Sequence, residues 1–168
     1  MGDHKDVSGK EGIDKLKELV KEIDFCMFCT KTDEMPFSTR PMSTRDVDDE
    51  GNIWFFSRAD SNKNFELKQD DHVQLLYAKG SSSEFLSVYG HADIIKDKSK
   101  AEELWSAFAK TWFNEGVDDP ELTIIRVRPE QCYYWDTKYN KVISLLSIVA
   151  GAITGKQTDS GVQGNISV

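Results

Sequence analysis

Three short segments of this chain carry the cationic, hydroxyl and aromatic side chains that can hold a phosphate-bearing ring. They are residues 40–44 (RPMST), 54–57 (WFFS) and 61–64 (SNKN). The first two predict paired strands around a turn, and the third predicts the start of a helix. A helix start has unpaired backbone N–H groups and the positive end of the helix dipole, so it favours a phosphate. Lys63 adds a full positive charge there, and Ser57 and Ser61 offer hydroxyl donors.

The same residues have ordinary structural interpretations when each is taken alone. Arg40 could be a solvated arginine on an edge strand, Lys63 a solvated helix residue, and Phe56 a core residue. Pro41 has no N–H to give to a sheet, so it marks an edge or a bulge where neighbouring backbone groups are free for a ligand. The combination of the three segments, rather than any one residue, predicts a bound cofactor.

The bulk composition excludes several classes of partner. The chain has 168 residues, 39% of them hydrophobic, and a formal net charge of −8, which predicts one domain without a basic face for nucleic acid. Residues 1–10 lack the apolar core of a signal peptide. The apolar run over 142–154 is shorter than the roughly 20 residues of a membrane span. We therefore expect a cytoplasmic protein with no nucleic-acid and no membrane partner.

No metal site and no protein nucleophile are predicted. Cys26 and Cys29 have the spacing of a redox or zinc pair, but a strand would point them to opposite faces, so we expect buried structural thiols. His72 and His91 are interpreted as surface or pairing histidines, and the acids before Gly51 lack the closing glutamate of a calcium loop. The catalytic residues are left unknown.

Hydrophobic periodicity predicts a mainly β fold with flanking helices. The predicted strands are 23–31, 37–44, 52–58, 72–78, 85–95 and 122–135, and the predicted helices are 11–22, 61–69, 99–113 and 142–153. Six strands in hairpin order favour a closed antiparallel barrel. Residues 1–11 are expected to be a flexible N-terminus, 12–137 the barrel domain, and 138–168 an apolar helix followed by a polar tail. Trp112 and Phe113 could line the mouth of a substrate pocket.

The order of these segments, followed by residues 88–92 (VYGHA), resembles the FMN-binding split barrels related to pyridoxamine 5′-phosphate oxidase. The loop over 112–120 and residues 133–136 (YYWD) resemble the general stress protein 26 branch of that family. The likeness extends over about residues 12–137. It implies a six-stranded antiparallel split β-barrel, a homodimer, and FMN bound in a cleft between the subunits.

The resemblance also implies which residues contact the cofactor. The matching positions are Arg40, Pro41, Met42, Ser43, Thr44, Phe56, Ser57, Ser61, Asn62, Lys63 and Trp135. Residues 40–42 would run along the isoalloxazine ring and ribityl chain, with residues 43–45 continuing the same strand. Phe56 and Ser57 would contact the ring and the phosphate side. The helix start would hold the phosphate, and Trp135 would reach the partner subunit's site.

The expected function is that of an FMN-dependent oxidoreductase or reductase acting on a small molecule, with NAD(P)H as a plausible donor. The alternatives are a non-catalytic flavin-binding stress protein and a deazaflavin-dependent split-barrel reductase, and FAD is an alternative cofactor. Residues 136–141 (DTKYNK) lack the arginines and histidine with which the oxidase grips its pyridoxyl substrate. Oxidation of pyridoxamine phosphate is therefore not expected.

Overall fold

Ten strands form one mixed sheet flanked by three α-helices in a computed structural model that describes residues 3–107, 109–137 and 161–168. The strands are β1 (Asp3–His4), β2 (Val7–Ser8), β3 (Phe25–Thr30), β4 (Ser38–Ser43), β5 (Asp46–Val47), β6 (Ile53–Arg58), β7 (His72–Lys79), β8 (Glu84–Ile95), β9 (Leu122–Thr137) and β10 (Gly161–Ser167). The helices are α1 (Gly9–Ile23), α2 (Asn62–Gln69) and α3 (Lys98–Leu104), with 3₁₀ turns at Ala109–Thr111 and Gly116–Asp118. The prediction of a mainly β fold with flanking helices is confirmed, and all six predicted strands are present.

Strand β9 organises the sheet because both of its edges are paired. One edge pairs with β8 along most of its length. The other edge pairs first with β6 and then with β10. Beyond β8 the antiparallel order continues through β7 and β3 to β4. Only Thr44 and Arg45 separate β4 from β5, which pairs with β6.

Alternate residues of the central strands point into one apolar core. Phe28, Phe55, Leu75 and Val127 are fully buried there, and the rings of Phe28 and Phe55 meet edge to face at 5.3 Å between centroids. One stripe of α1, including Leu16, packs on the same core. Burying each such side chain contributes about 1.5–3 kcal/mol, so the period of two along the strands fixes which residues face outward.

A second, smaller apolar cluster lies under α3 and the loop that follows it. The predicted helix over 99–113 is wrong in length, because α3 ends at Leu104 and Trp105 is already extended. This exit from the helix lets Ser106 accept a hydrogen bond from Arg45 at 2.9 Å. It also lets Trp105 and Phe113 both pack against the ring of Phe56.

The two ends of the described chain differ from the expected flexible N-terminus and polar tail. Strands β1 and β2 pair in parallel with β10, which in turn pairs with β9. A Cβ on Gly164 would lie 2.0 Å from the carbonyl oxygen of Lys5, so only glycine permits this close approach. β1 and β2 have only two residues each, and Val7 and Ile166 are the buried core residues of β2 and β10, which is too little apolar pattern for hydrophobic periodicity to predict these strands.

The apolar helix predicted over 142–153 lies outside the described residues. Within 3–107, 109–137 and 161–168, no helix is both long enough and apolar enough to cross a membrane.

Candidate functional site

A cavity of about 300 Å³ opens between β4, β6, the first turn of α2 and the 3₁₀ turn at Ala109–Thr111. It is lined by Phe25, Pro41, Met42, Ser43, Arg45, Phe56, Ser57, Arg58, Ser61, Lys63, Ala109, Trp112 and Phe113. The structure therefore brings most of the predicted cofactor residues together with the two predicted substrate-pocket residues. Of the predicted set, Arg40, Thr44, Asn62 and Trp135 do not line this cavity.

The start of α2 has the geometry of an anion-binding helix end. Ser61 occupies the N-cap position in an extended conformation, and its carbonyl accepts from the N–H groups of Asn64 and Phe65. The preceding N–H groups of Asn62 and Lys63 have no partner in the helix. The Asn62 side chain is exposed at the helix start. The backbone donors and the helix dipole favour a negative group at this end of the cavity.

Lys63 is a half-buried cation in the first turn of α2. Within the described ranges its ammonium group has no hydrogen-bond or ion-pair partner. Burial lowers the pKa of Lys63 below its ordinary value, and the nearby charge of Arg40 lowers it further, against a weaker opposing effect of Asp60. Holding an unpaired ammonium away from water is costly, so an anion in the cavity would offset that cost.

A buried hydrogen-bond network fixes α2 against the sheet. Ser57 Oγ donates to Asn64 Oδ1 at 2.7 Å, Asn64 Nδ2 donates to Thr123 Oγ1 at 3.0 Å, and Thr123 Oγ1 donates to the Ser57 carbonyl at 2.9 Å. The Ser57 and Ser61 hydroxyls are 3.2 Å apart. The hydroxyl of Ser57 is thus already engaged within the protein. Asn64 stood in the SNKN segment, but nothing in the sequence indicated Thr123.

The opposite wall of the cavity is apolar and aromatic. The ring of Phe56 packs between Trp105 and Phe113, at centroid distances of 5.7 and 6.1 Å. Trp112 and Phe25 are 64% and 49% exposed. Partly exposed rings beside a cavity can cover a planar apolar ligand.

Arg40 belongs to an ion-pair network beside the cavity rather than to its lining. Its guanidinium donates to Glu66 Oε2 at 2.8 Å and to Thr30 Oγ1 at 2.6 Å. Glu66 also accepts from the hydroxyls of Thr30 and Ser38. Burial opposes ionisation of Glu66, but these hydrogen bonds and the charge of Arg40 hold its pKa below the ordinary value.

The remaining predicted residues have other surroundings. The hydroxyl of Thr44 is buried and lies 2.8 Å from that of Tyr77. Trp135 lies towards the far end of β9, opposite Phe85 and with its ring 4.7 Å from that of Tyr133. Arg45 lines the cavity while it donates to Ser43 and to a backbone carbonyl.

The three cysteines are buried free thiols, as predicted. Burial raises the pKa of Cys26 and of Cys132 to about 12, so neither is a thiolate at neutral pH. Among the described lining residues of the cavity there is no carboxylate, histidine or thiol.

Comparison with known proteins places this geometry in a family. The model of the family described as pyridoxamine 5′-phosphate oxidase like matches residues 11–159. Protein bli-3 of Neurospora crassa is 25% identical over 154 residues, which cover 86% of this chain and 74% of that protein. General stress protein 26 of Bacillus subtilis is 28% identical over 74 residues, which cover 42% of this chain and 52% of that protein.

Solved structures have the same fold. A protein described as general stress protein 26 from Jannaschia sp. CCS1 superposes with a TM-score of 0.76 at 20% identity, covering 92% of this chain and 97% of that one. The general stress FMN/FAD binding protein of Xanthomonas citri superposes with a TM-score of 0.64 at 22% identity, covering 74% and 87%. The chain therefore belongs to the pyridoxamine 5′-phosphate oxidase-like family.

Proposed function

We propose that this chain binds FMN in the cavity and uses it as an oxidoreductase on a small molecule. The observation that carries the proposal is the ammonium of Lys63 at the start of α2, which has no partner in the part of the chain that the structure describes and lies in the same cavity as an aromatic wall. The name of the Xanthomonas citri relative, an FMN/FAD binding protein, supports a flavin.

The donor set of the cavity fits a flavin mononucleotide. The phosphate would be held by Lys63, the Ser61 hydroxyl and the free N–H groups of the helix start. The isoalloxazine ring would lie against the side of Phe56 and Trp112. A volume of about 300 Å³ is at the lower end of the roughly 300–1,000 Å³ of ligand pockets, which favours FMN over the larger FAD.

The protein's own contribution would be binding, orientation and exclusion of water. When bound, the flavin supplies the hydride or electron transfer, as redox cofactors do. Because the described lining offers no acid, histidine or thiol, no protein group is assigned to proton transfer. The same observation supports a second candidate, a flavin-binding stress protein without turnover.

We also propose that the sheet closes as a six-stranded split barrel. The N–H of Thr44 donates to the Asp24 carbonyl, next to β3, and the N–H of Arg45 donates to the Trp54 carbonyl in β6. These bonds support β4 and β5 acting as one bent strand that links β3 to β6. The ring would then consist of β3, β4 with β5, β6, β9, β8 and β7.

An exposed apolar row supports the proposal of a homodimer. Met27 lies opposite Leu76 and Phe85 lies opposite Trp135 on neighbouring strands, and each of the four is between 39% and 43% exposed. A contiguous exposed apolar patch of this kind typically marks a protein interface. In water it would favour association with a second copy of the chain.

The apolar row is continuous with the mouth of the cavity. Met27 pairs with Pro41, and Phe25 pairs with Ser43, and three of these residues line the cavity. A second copy seated on the row would therefore complete the open side of the site. That arrangement would explain how Trp135 could serve the cofactor of the partner subunit while standing apart from the cavity of its own.

The oligomeric state can be measured by light scattering at micromolar concentration. We expect the mass of a dimer, reduced to that of a monomer by Leu76→Lys, because a charge in the centre of an apolar interface is not solvated. Met35→Lys is the matched control. Met35 is 87% exposed, so its substitution should leave the mass unchanged. A monomeric wild type that binds FMN with full affinity would contradict the shared site.

The cofactor assignment is tested by the visible spectrum of the purified protein and by titration with FMN followed by fluorescence. We expect quenching that saturates at one FMN per chain. Binding of a deazaflavin without binding of FMN would favour the deazaflavin alternative. Oxidation of NAD(P)H that depends on the FMN-loaded protein would distinguish the oxidoreductase from the non-catalytic binder.

A further inference from the structure

Two histidines and an aspartate converge where β7 begins, at a place that shares no residue with the flavin cavity. His72 and His91 are directly opposite each other on β7 and β8, with ring centroids 4.6 Å apart. Asp71 Oδ1 lies 3.1 Å from His91 Nδ1 and 3.7 Å from His72 Nδ1. One ligand atom from each of the three residues lies within 4.8 Å of the other two.

A β-bulge places the carboxylate of Glu130 next to this cluster. The register between β8 and β9 shifts after Tyr89, so that Gly90 pairs with Pro129 and Glu130 is the extra residue. A Cβ on Gly90 would lie 2.2 Å from the Arg128 carbonyl oxygen, so the bulge requires glycine. Bulges often redirect a side chain, and here Glu130 Oε2 lies 3.4 Å from His91 Nε2.

The spacing of the ligand atoms matches a small transition-metal ion. Bonds of 2.0–2.1 Å to a tetrahedral Zn²⁺ place neighbouring ligand atoms about 3.3 Å apart. The two distances from Asp71 fall on either side of this value. We propose that Asp71 Oδ1, His72 Nδ1 and His91 Nδ1 form a binding site for a divalent transition-metal ion of the zinc type.

The groups around the three ligands fit the same assignment. With Nδ1 of His91 on the metal, its Nε2–H is directed to Glu130, and carboxylates hold metal-bound imidazoles in this way. Asp70 lies 2.5 Å from His72 Nδ1, so the metal would replace that hydrogen bond and leave Asp70 close to a fourth coordination position. Imidazole with carboxylate favours zinc, copper or nickel over magnesium or calcium.

A metal ion at this site would cross-link the start of β7 to β8, which are separated in sequence. Asp71 lies two residues after the end of α2, and His72 begins β7. His91 and Glu130 come from β8 and β9. The histidine side chains are half-exposed, so an ion can reach them from solvent. A ligand that binds the folded chain alone stabilises it in proportion to the logarithm of ligand concentration over Kd.

The experiment is a titration of EDTA-dialysed protein with Zn²⁺ in competition with a chromophoric chelator. We expect one ion per chain for the wild type, with a rise in Tm when Zn²⁺ is added. Asp71→Asn should weaken Zn²⁺ binding at least tenfold, and His72→Gln combined with His91→Gln should abolish the site. His4→Gln is the matched control, because His4 is also paired with an aspartate but belongs to no group of three possible metal ligands among the described residues.

Glu130→Gln gives a second, milder measurement. It keeps all three metal ligands and should lower Zn²⁺ affinity by about 10–100-fold, the usual effect of losing a carboxylate behind a ligating histidine. Absence of saturable binding to the wild type, or equal binding by the wild type and the double histidine variant, would overturn the proposal. Circular dichroism of each variant establishes that a lost site is not lost folding.

Discussion

Arg40 and Lys63 are neighbouring cations with different surroundings, because one is ion-paired within the protein and the other lines the cavity. Arg40 is held by Glu66 and by the hydroxyl of Thr30. Lys63 is half-buried, has no partner within the described ranges, and has its pKa lowered by burial and by Arg40. The sequence offered both residues as candidates for the flavin, Arg40 on a strand beside the ring and Lys63 at a helix start for the phosphate. In the fold Arg40 is ion-paired with Glu66, whereas Lys63 lines the cavity and has no partner among the described residues, which is why we propose Lys63 as the phosphate ligand.

The largest expected effect is that of Lys63→Ala on FMN binding. Loss of a charged hydrogen bond costs about 1.5–3 kcal/mol, which corresponds to roughly a tenfold to hundredfold higher Kd. The unfolding free energy without FMN should not fall, because the ammonium has no partner to lose. Fluorescence titration and urea unfolding measure the two quantities.

Lys68→Ala is the matched control for that variant. Lys68 is on the same helix, is exposed, and lies over the Phe65 ring at 5.6 Å, outside the cavity lining. It should leave the FMN affinity unchanged. Equal affinities for the Lys63 and Lys68 variants would remove the phosphate assignment.

Arg40→Met should show the reverse pattern. It leaves Glu66 without its charged donor, and we expect the unfolding free energy to fall by about 1–3 kcal/mol. The loss of FMN affinity should be smaller than for Lys63→Ala. Arg128→Met, which removes an exposed pair with Asp93, should cost about 0.5 kcal/mol or less. If the Arg40 variant is fully stable but loses FMN, Arg40 contacts the cofactor after all.

A smaller effect is expected from low pH on the free energy of unfolding. The folded-state pKa of Glu66 is below its ordinary value of 4.5, so its contribution to stability is complete above that pH and is lost as the pH falls through the folded pKa. Between pH 7 and pH 4 the wild type should therefore lose more unfolding free energy than Glu66→Gln. Urea unfolding at the two pH values measures this difference. Equal losses of unfolding free energy in the wild type and the variant would show that protonation of Glu66 does not contribute.

No effect at all is expected with pyridoxamine phosphate. A second phosphate would need a second unpaired cation, but of the other basic residues in the described lining Arg45 is engaged by Ser43 and Arg58 is paired with Asp60. Peroxide release in air on addition of pyridoxamine phosphate to the FMN-loaded protein would contradict this expectation. Peroxide from NAD(P)H under the same conditions serves as the positive control.

The central strands of the sheet were predictable because each buries several apolar side chains. Phe28, Phe55 and Leu75 stand in short runs rich in apolar and β-branched residues bounded by turn residues, which predict strands. The strands at the ends of the chain were not predictable in this way, because β1 and β2 have two residues each and β10 carries only Val162 and Ile166 as apolar residues, four positions apart. The length of α3 was also missed, since Trp105 and Phe113 meet around Phe56 only after the chain has left the helix.

The candidate site was predictable in its residue types and only partly in its contacts. The SNKN segment indicated Lys63 because a cation at a helix start is a local pattern. The partners of Arg40 come from β3 and α2, and no local pattern reports them. The convergence of His72, His91 and Asp71 was missed for the same reason, because the register of β7 on β8 brings His91 to the other two.

The network of Ser57, Asn64 and Thr123 has a consequence for folding kinetics. Its bonds join residues 59 and 66 positions apart in the chain, through the pairing of β6 with β9. Contacts of such long sequence separation form slowly, because the entropy of closing the intervening chain is lost before they stabilise anything. The end of the cavity at the start of α2 is therefore complete only after β6 has paired with β9. Uptake of a fluorescent ligand during refolding would follow the last folding step rather than the first.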